Sequence, residues 1–297
     1  MTESMDPPFG TNPPSLLRFN WQARKVLRLR PRDKAAKTVR TEGFEPAAML
    51  DAYARTAERF LALVRTLPEA SGSLPVPGLT WTVAELVAHQ YTVVRRGRDP
   101  RRAQTLDELG RLNQICVDEV RTRDLAELAT LLEAEVALTG PLRRSLPLLW
   151  KLRVGRWLML KLHFGIESDL PSVLLWPTTD MLLHGWELAQ ATGVDWEIPP
   201  ADAAVCVFAG LPVMGEWVEP AVSSGPRRCR TVSFGHGLPA VTITVGEGLS
   251  STRLEPAGSG VHVDEVDPVA WMLHVFGRTG PTGDDAIDEV ASWTQAI

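Results

Sequence analysis

Apolar positions recur at helical spacing through the first two thirds of the chain and then switch to a two-residue alternation. Ala48, Leu50 and Tyr53, followed by Phe60, Leu61 and Val64, fall on one side of a 3.6-residue repeat and predict a helix over about residues 46–67. Residues 71–80 (SGSLPVPGLT) are rich in Ser, Pro and Gly and read as a loop. Thr80 or Thr82 then caps a second helix, WTVAELVAHQYTVVRRG, with Glu85 three residues after Thr82 to complete a capping box. Basic residues and Gly97 stop it. Residues 106–122 and 124–138 carry two more helical patterns, ended by Gly140-Pro141, and residues 147–164 carry another. Pro171 and Pro177 bracket the start of an apolar helix over 176–193, which Gly193 ends. Residues 44–195 are therefore expected to form an antiparallel helix bundle.

The grammar changes beyond Pro200. One more helix is expected over 201–217, after which 230–234 (RTVSF) and 240–245 (AVTITV) alternate in the manner of half-buried strands. Residues 251–255 and 260–263 are shorter strand candidates, while 267–276 and 284–293 return to helix. This segregation predicts an α+β chain of two domains: a leader over 1–40, a helix bundle over 41–198 and a small α+β domain over 199–297.

Composition narrows the function classes. With 297 residues, 44% of them hydrophobic and 23% charged, the chain suits a soluble protein with one large core or two smaller ones. The net charge of −5 is uneven, because residues 1–40 hold nine Lys/Arg against three Asp/Glu. No recognition-helix or basic–aromatic pattern accompanies that leader, so a solvated tail is expected and a nucleic-acid partner is not. Cys116, Cys206 and Cys229 are scattered and form no C-x-x-C, which disfavours a disulfide framework or thiolate zinc site and suits a reducing cytoplasm. The most apolar run, 146–164, is broken by Lys151, Arg153, Arg156 and Lys161, so no membrane span is expected.

The candidate chemistry lies in WPTTDMLLHGWELAQATG, residues 176–193. Asp180 and His184 stand four residues apart, one turn along one helix face, and can address one point in space. A carboxylate and an imidazole there are two of the three protein ligands that a catalytic divalent metal needs. His89, on the apolar second helix, is a third-ligand candidate, with His163 in KLHFG as the spare. Such a set suits zinc, manganese or iron(II). The competing reading is a buried hydrogen-bonded Asp–His pair with no metal.

Two of these segments resemble a known family. GLTWTVAELVAHQ, with Trp81 eight residues before His89, and DMLLHGWELAQATG resemble the two signatures of the DinB-like, mycothiol-dependent maleylpyruvate isomerase family. DPVAWMLHVFGRTG is similar to the end of that family's smaller domain, and the resemblance spans about residues 44–280. It implies an N-terminal DinB-like four-helix metal-binding bundle followed by a C-terminal sterol-carrier-like α+β domain. Position by position, it makes His89 the first metal-ligating histidine and His184 the last. Asp180 falls where the family has glutamate, one methylene longer. Arg278 matches an arginine that could hold a carboxylate of substrate or thiol cofactor, and is the implied catalytic residue. The implied cofactors are a divalent metal, zinc foremost, and mycothiol. The implied reaction is thiol-dependent isomerisation or S-transfer, with a small electrophile as substrate and the metal activating the thiol. The alternative is a non-catalytic small-molecule or lipid-binding protein whose metal site has degenerated.

Overall fold

Helix α1 (Pro46–Thr66) buries Met49, Tyr53, Phe60 and Val64 on the face that the periodicity marks out. The computed structural model describes residues 38–39, 46–96, 101, 103, 106–138, 140, 159–161, 167–214, 224–255 and 260–293. After a 3-10 turn (Glu69–Ser73), helix α2 (Val83–Arg95) starts on the expected capping box. The Glu85 amide donates to Thr82 Oγ1 at 3.4 Å, and the Thr82 amide donates to the Glu85 carboxylate at 2.9 Å. Helices α3 (Leu106–Asp118) and α4 (Leu125–Ala137) follow, the latter capped by Asp124 accepting from the Glu127 amide at 2.7 Å. The long helix α5 (Leu170–Thr192) packs on both α1 and α2, and α4 packs on the same two. These four helices enclose a shared core, and α3 lies against α2.

Two expectations change here. The helix expected over 176–193 begins earlier, at Leu170, and runs through Pro177. A proline inside a helix costs about 3 kcal/mol through its missing donor and ring clash. Leu174 and Leu175, just before it, and Met181 and Leu182, just after it, are all buried. Each such side chain contributes about 1.5–3 kcal/mol on burial, so packing outweighs the break. The helix expected over 147–164 gives way to strand β2 (Met159–Lys161), where pairing with a neighbour replaces an intrahelical ladder. Its partner is β3 (Glu167–Asp169), antiparallel, which also pairs in parallel with β1 (Thr38–Val39). The remainder of that run, and the leader up to residue 37, lie outside the described residues.

Helix α6 (Pro200–Met214) then leads to a four-stranded sheet formed by β4 (Arg228–Ser233), β5 (Val241–Gly246), β6 (Leu249–Leu254) and β7 (Asp264–Glu265). The order is β6-β5-β4-β7, antiparallel except that β7 runs parallel to β4. Glu247 and Gly248, both at positive φ (55° and 75°), make the two-residue hairpin turn between β5 and β6. The alternation in AVTITV predicts one solvated face, yet all six residues of β5 are buried. Thr242, on the second face, exchanges a 2.7 Å hydrogen bond with Thr231 and donates to the buried Glu255 carboxylate. Of the strand candidate at 260–263, only the adjacent Asp264–Glu265 pairs.

Helices α7 (Pro268–Val275) and α8 (Asp285–Ala291) complete an α+β chain. Helix α6 packs on α1, α5 and α7 and reaches β6, and Arg55 of α1 donates to the buried Asp202 of α6 at 2.6 Å. The buried apolar side chains therefore form one continuous cluster from Met49 to Trp293. Among the described residues no helix is long and apolar enough to cross a membrane.

Candidate metal centre

The cap at Thr82 sets the register of α2 and so the direction of His89, which is 4% exposed. Trp81, just before the cap, lies beside the imidazole with ring centroids 4.6 Å apart, and its indole N–H donates to Gln114 of α3 at 2.8 Å. Across the core, α5 presents Asp180 and His184 one turn apart. The His89 and His184 rings meet edge-on at 5.2 Å, and His89 Nε2 lies 4.0 Å from Asp180 Oδ2. One donor atom from each of His89, Asp180 and His184 lies within 4.8 Å of the other two. The three residues singled out from the sequence are thus brought together. His163 lies outside the described residues.

Behind the trio stands a residue that sequence reasoning missed. Glu187, 3% exposed, accepts from His184 Nδ1 at 2.5 Å through one oxygen and from Arg278 Nε at 2.6 Å through the other. The available signal was its position three residues after His184, on the same helix face. Arg278 reaches it because α7 ends in a left-handed glycine, Gly277 (φ 70°). The Gly277 amide donates to His274 O at 2.9 Å and the Arg278 amide to Leu273 O at 2.7 Å, the paired closing bonds that turn a chain off a helix end. Arg278 therefore meets a protein carboxylate, where the resemblance implied a carboxylate of substrate or cofactor.

The electrostatics suit cation binding. Desolvation, aided by the charges of His184 and Arg96, holds the His89 imidazole well below its usual pKa, so it is neutral with a lone pair to give. Desolvation also raises Asp180, against the pull of His184 and Arg96. Glu187 is held below the usual carboxylate range: burial opposes its ionisation, but the contacts with His184 and Arg278 outweigh burial. With Nδ1 of His184 engaged by Glu187, Nε2 is the ring nitrogen open to a cation, and carboxylate–histidine–metal chains are built this way. Donors within 4.8 Å of one another need draw in by about an ångström or less to share a cation at bonds of about 2 Å, whose opposite ligands stand about 4 Å apart. At 28% exposure, the Asp180 side chain is the open side of an otherwise buried set. The residues present fit a divalent metal.

A small apolar cavity lies between α5, α6 and α7, lined by Leu175, Trp176, Cys206, Trp271, Met272 and Phe276. Burial pushes the Cys206 thiol up to about 12, so it stays protonated at neutral pH.

Comparisons with known proteins add little to this geometry. No family model and no curated protein matches the chain. Among solved structures it is similar to the crystal structure of the mycothiol-dependent maleylpyruvate isomerase, with 12% identity and a TM-score of 0.45. That match covers 81% of this chain and 92% of the other. Identity this low does not transfer chemistry.

Proposed function

We propose that His89, Asp180 and His184 are the protein ligands of a catalytic divalent-metal centre, carried by a metal-binding four-helix bundle of α1, α2, α4 and α5. The reaction would be thiol-dependent isomerisation or S-transfer on a small electrophile, as the two signature segments imply, with zinc as metal and mycothiol as cosubstrate. The observation that carries the reading is the convergence of these three donors with Glu187 fixing the tautomer of His184. A bound divalent cation stabilises the anionic form of a coordinated thiol and so supplies a nucleophile near neutral pH. The chain's own residues hold and orient. His89 offers a desolvated, neutral imidazole, Trp81 walls one side against water, and Arg278 keeps Glu187 ionised behind His184. Arg278 is on this reading a positioning residue. No cysteine is needed as nucleophile, in keeping with a Cys206 held protonated.

Elemental analysis of the purified protein tests the reading. Near-stoichiometric divalent metal is expected in the wild type and its loss in His184→Ala. Absence of metal from the wild type, even after reloading with zinc or manganese, would overturn it. In that case the apolar cavity between α5, α6 and α7 favours the second reading, a small-molecule or lipid-binding protein. Binding of an apolar fluorescent probe, unaffected by His184→Ala and blocked by filling the cavity through Cys206→Phe, would support that alternative.

A further inference from the structure

A metal-ligating imidazole needs its ring plane fixed, and the usual device is a hydrogen bond from the nitrogen that faces away from the metal. His184 has that device in Glu187. His89 lacks it. Its Nδ1 is buried and has no hydrogen-bond partner among the described residues, while its Nε2 lies 4.0 Å from Asp180 Oδ2. The helix backbone restricts the first side-chain torsion of a histidine, but the second is broad and roughly two-fold. A neighbouring surface therefore has to choose the plane.

For His89 that surface is the Trp81 indole. The two rings lie 4.6 Å apart between centroids with 35° between planes, closer and flatter than the 5.2 Å, 77° edge contact with His184. Trp81 stands one residue outside the Thr82 cap, so the hydrogen-bond ladder of α2 does not hold it. Gln114 of α3 does. Trp81 Nε1 donates to Gln114 Oε1 at 2.8 Å, and Gln114 Nε2 donates to Asp118 Oδ1, one turn further along α3, at 2.8 Å. An indole N–H only donates and a carboxylate only accepts, so a single orientation of the Gln114 amide satisfies both. Asp118 thereby turns the amide oxygen towards the indole.

We propose that Gln114 is a positioning residue of the metal centre: by anchoring the edge of Trp81, it fixes the indole face that sets the ring plane of His89. The two histidines are then oriented by different means, His184 by a buried carboxylate and His89 by stacking on an anchored ring. The assignment rests on the metal reading above and adds to it a helix, α3, that supplies no ligand.

The test measures zinc affinity in the full chain, by competition with a chromophoric chelator, together with the visible ligand-field spectrum of the cobalt(II) form. Gln114→Leu removes the acceptor at similar volume, and Trp81→Phe keeps an aromatic face but removes the N–H. Each is expected to weaken zinc binding about tenfold or more, as loss of an outer-shell partner does, and to alter the cobalt spectrum. The double variant should bind zinc as Trp81→Phe alone does, because both changes break the same bond. Gln114→Glu keeps an oxygen for the indole and should retain most of the affinity. Three results would overturn the role of Gln114 and leave the metal centre standing: wild-type affinity in Gln114→Leu, a Glu variant as weak as the Leu variant, or losses that add in the double variant. If Gln114→Leu does not fold, Trp81→Phe decides, and undiminished zinc affinity there overturns the assignment. A wild type that takes up neither zinc nor cobalt overturns the metal reading itself.

Discussion

At His184 the two ring nitrogens would have different tasks on the metal reading: Nδ1 donates to Glu187, and Nε2 would face the cation together with His89 and Asp180. Replacing Glu187 by Gln keeps the shape but weakens control of the tautomer. Metal affinity is then expected to fall about 10- to 100-fold in competition with a chromophoric chelator. Unchanged affinity would show that Glu187 only packs. Asp180→Glu should retain metal, because the side chain gains reach in a site whose donors are still 4.0 Å apart between His89 and Asp180. Asp180→Ala should lower metal content sharply, and full retention would identify the wrong carboxylate. The i, i+4 spacing of Asp180 and His184 was legible in the sequence because one helix sets it locally. Glu187 was not, since its burial depends on Arg278, 91 residues away in the chain.

Among the elements, α5 does the most to place the site, and its packing exposes it to small changes. A Cβ at Gly185, beside His184, would come within 2.4 Å of the Trp196 indole ring. That ring also lies under Arg59, whose guanidinium is 5.2 Å from its centre. Gly185→Ala is therefore expected to destabilise the fold by about 1–3 kcal/mol, seen as a lower midpoint in denaturant. An unchanged midpoint would mean that Trp196 moves aside freely. For α2 the vulnerable point is its first turn. Thr82→Ala should cost about 0.5–2 kcal/mol by removing the cap that orients His89. At the other end of the chain, Asp288 of α8 accepts from the Thr282 amide and hydroxyl and from the Gly283 amide. The Thr282 amide is the largest influence holding its carboxyl below the usual range. A depressed folded-state pKa contributes stability above the unfolded value, and that stability fades as pH falls through the folded value. Asp288→Asn should accordingly lower the melting temperature at neutral pH, and its difference from wild type should narrow as the pH falls below the ordinary aspartate range. A difference independent of pH would show that the bonds matter and the charge does not. Element existence was largely legible: the capping box, most of the helices and strands β4 and β5 follow from local pattern. The start of α5 was not, because the proline rule is local and the burial that overrides it comes from α1 and α6.

For the molecule as a whole, a cation bound only by the folded chain stabilises it by mass action, about 2.7 kcal/mol at a hundredfold excess over its dissociation constant. Adding zinc to chelator-treated protein should thus raise the melting temperature, and the rise should vanish in His184→Ala. A rise that persists in that variant would place the binding elsewhere. The site joins distant parts of the chain, with His89 from α2, Asp180 and His184 from α5, and Arg278 from beyond α7 behind them. Their convergence requires the continuous core that α6 carries from the helices towards the sheet. The sequence by itself determined what repeats and caps within a few residues of each other: where most helices and strands lie, and that Asp180 and His184 share a face. Only the tertiary structure decided that His89 meets them, that Glu187 and Arg278 stand behind His184, and that Trp81, anchored by Gln114, stands beside His89. Each of these depends on which side chains desolvate one another across helices, and no local pattern encodes that.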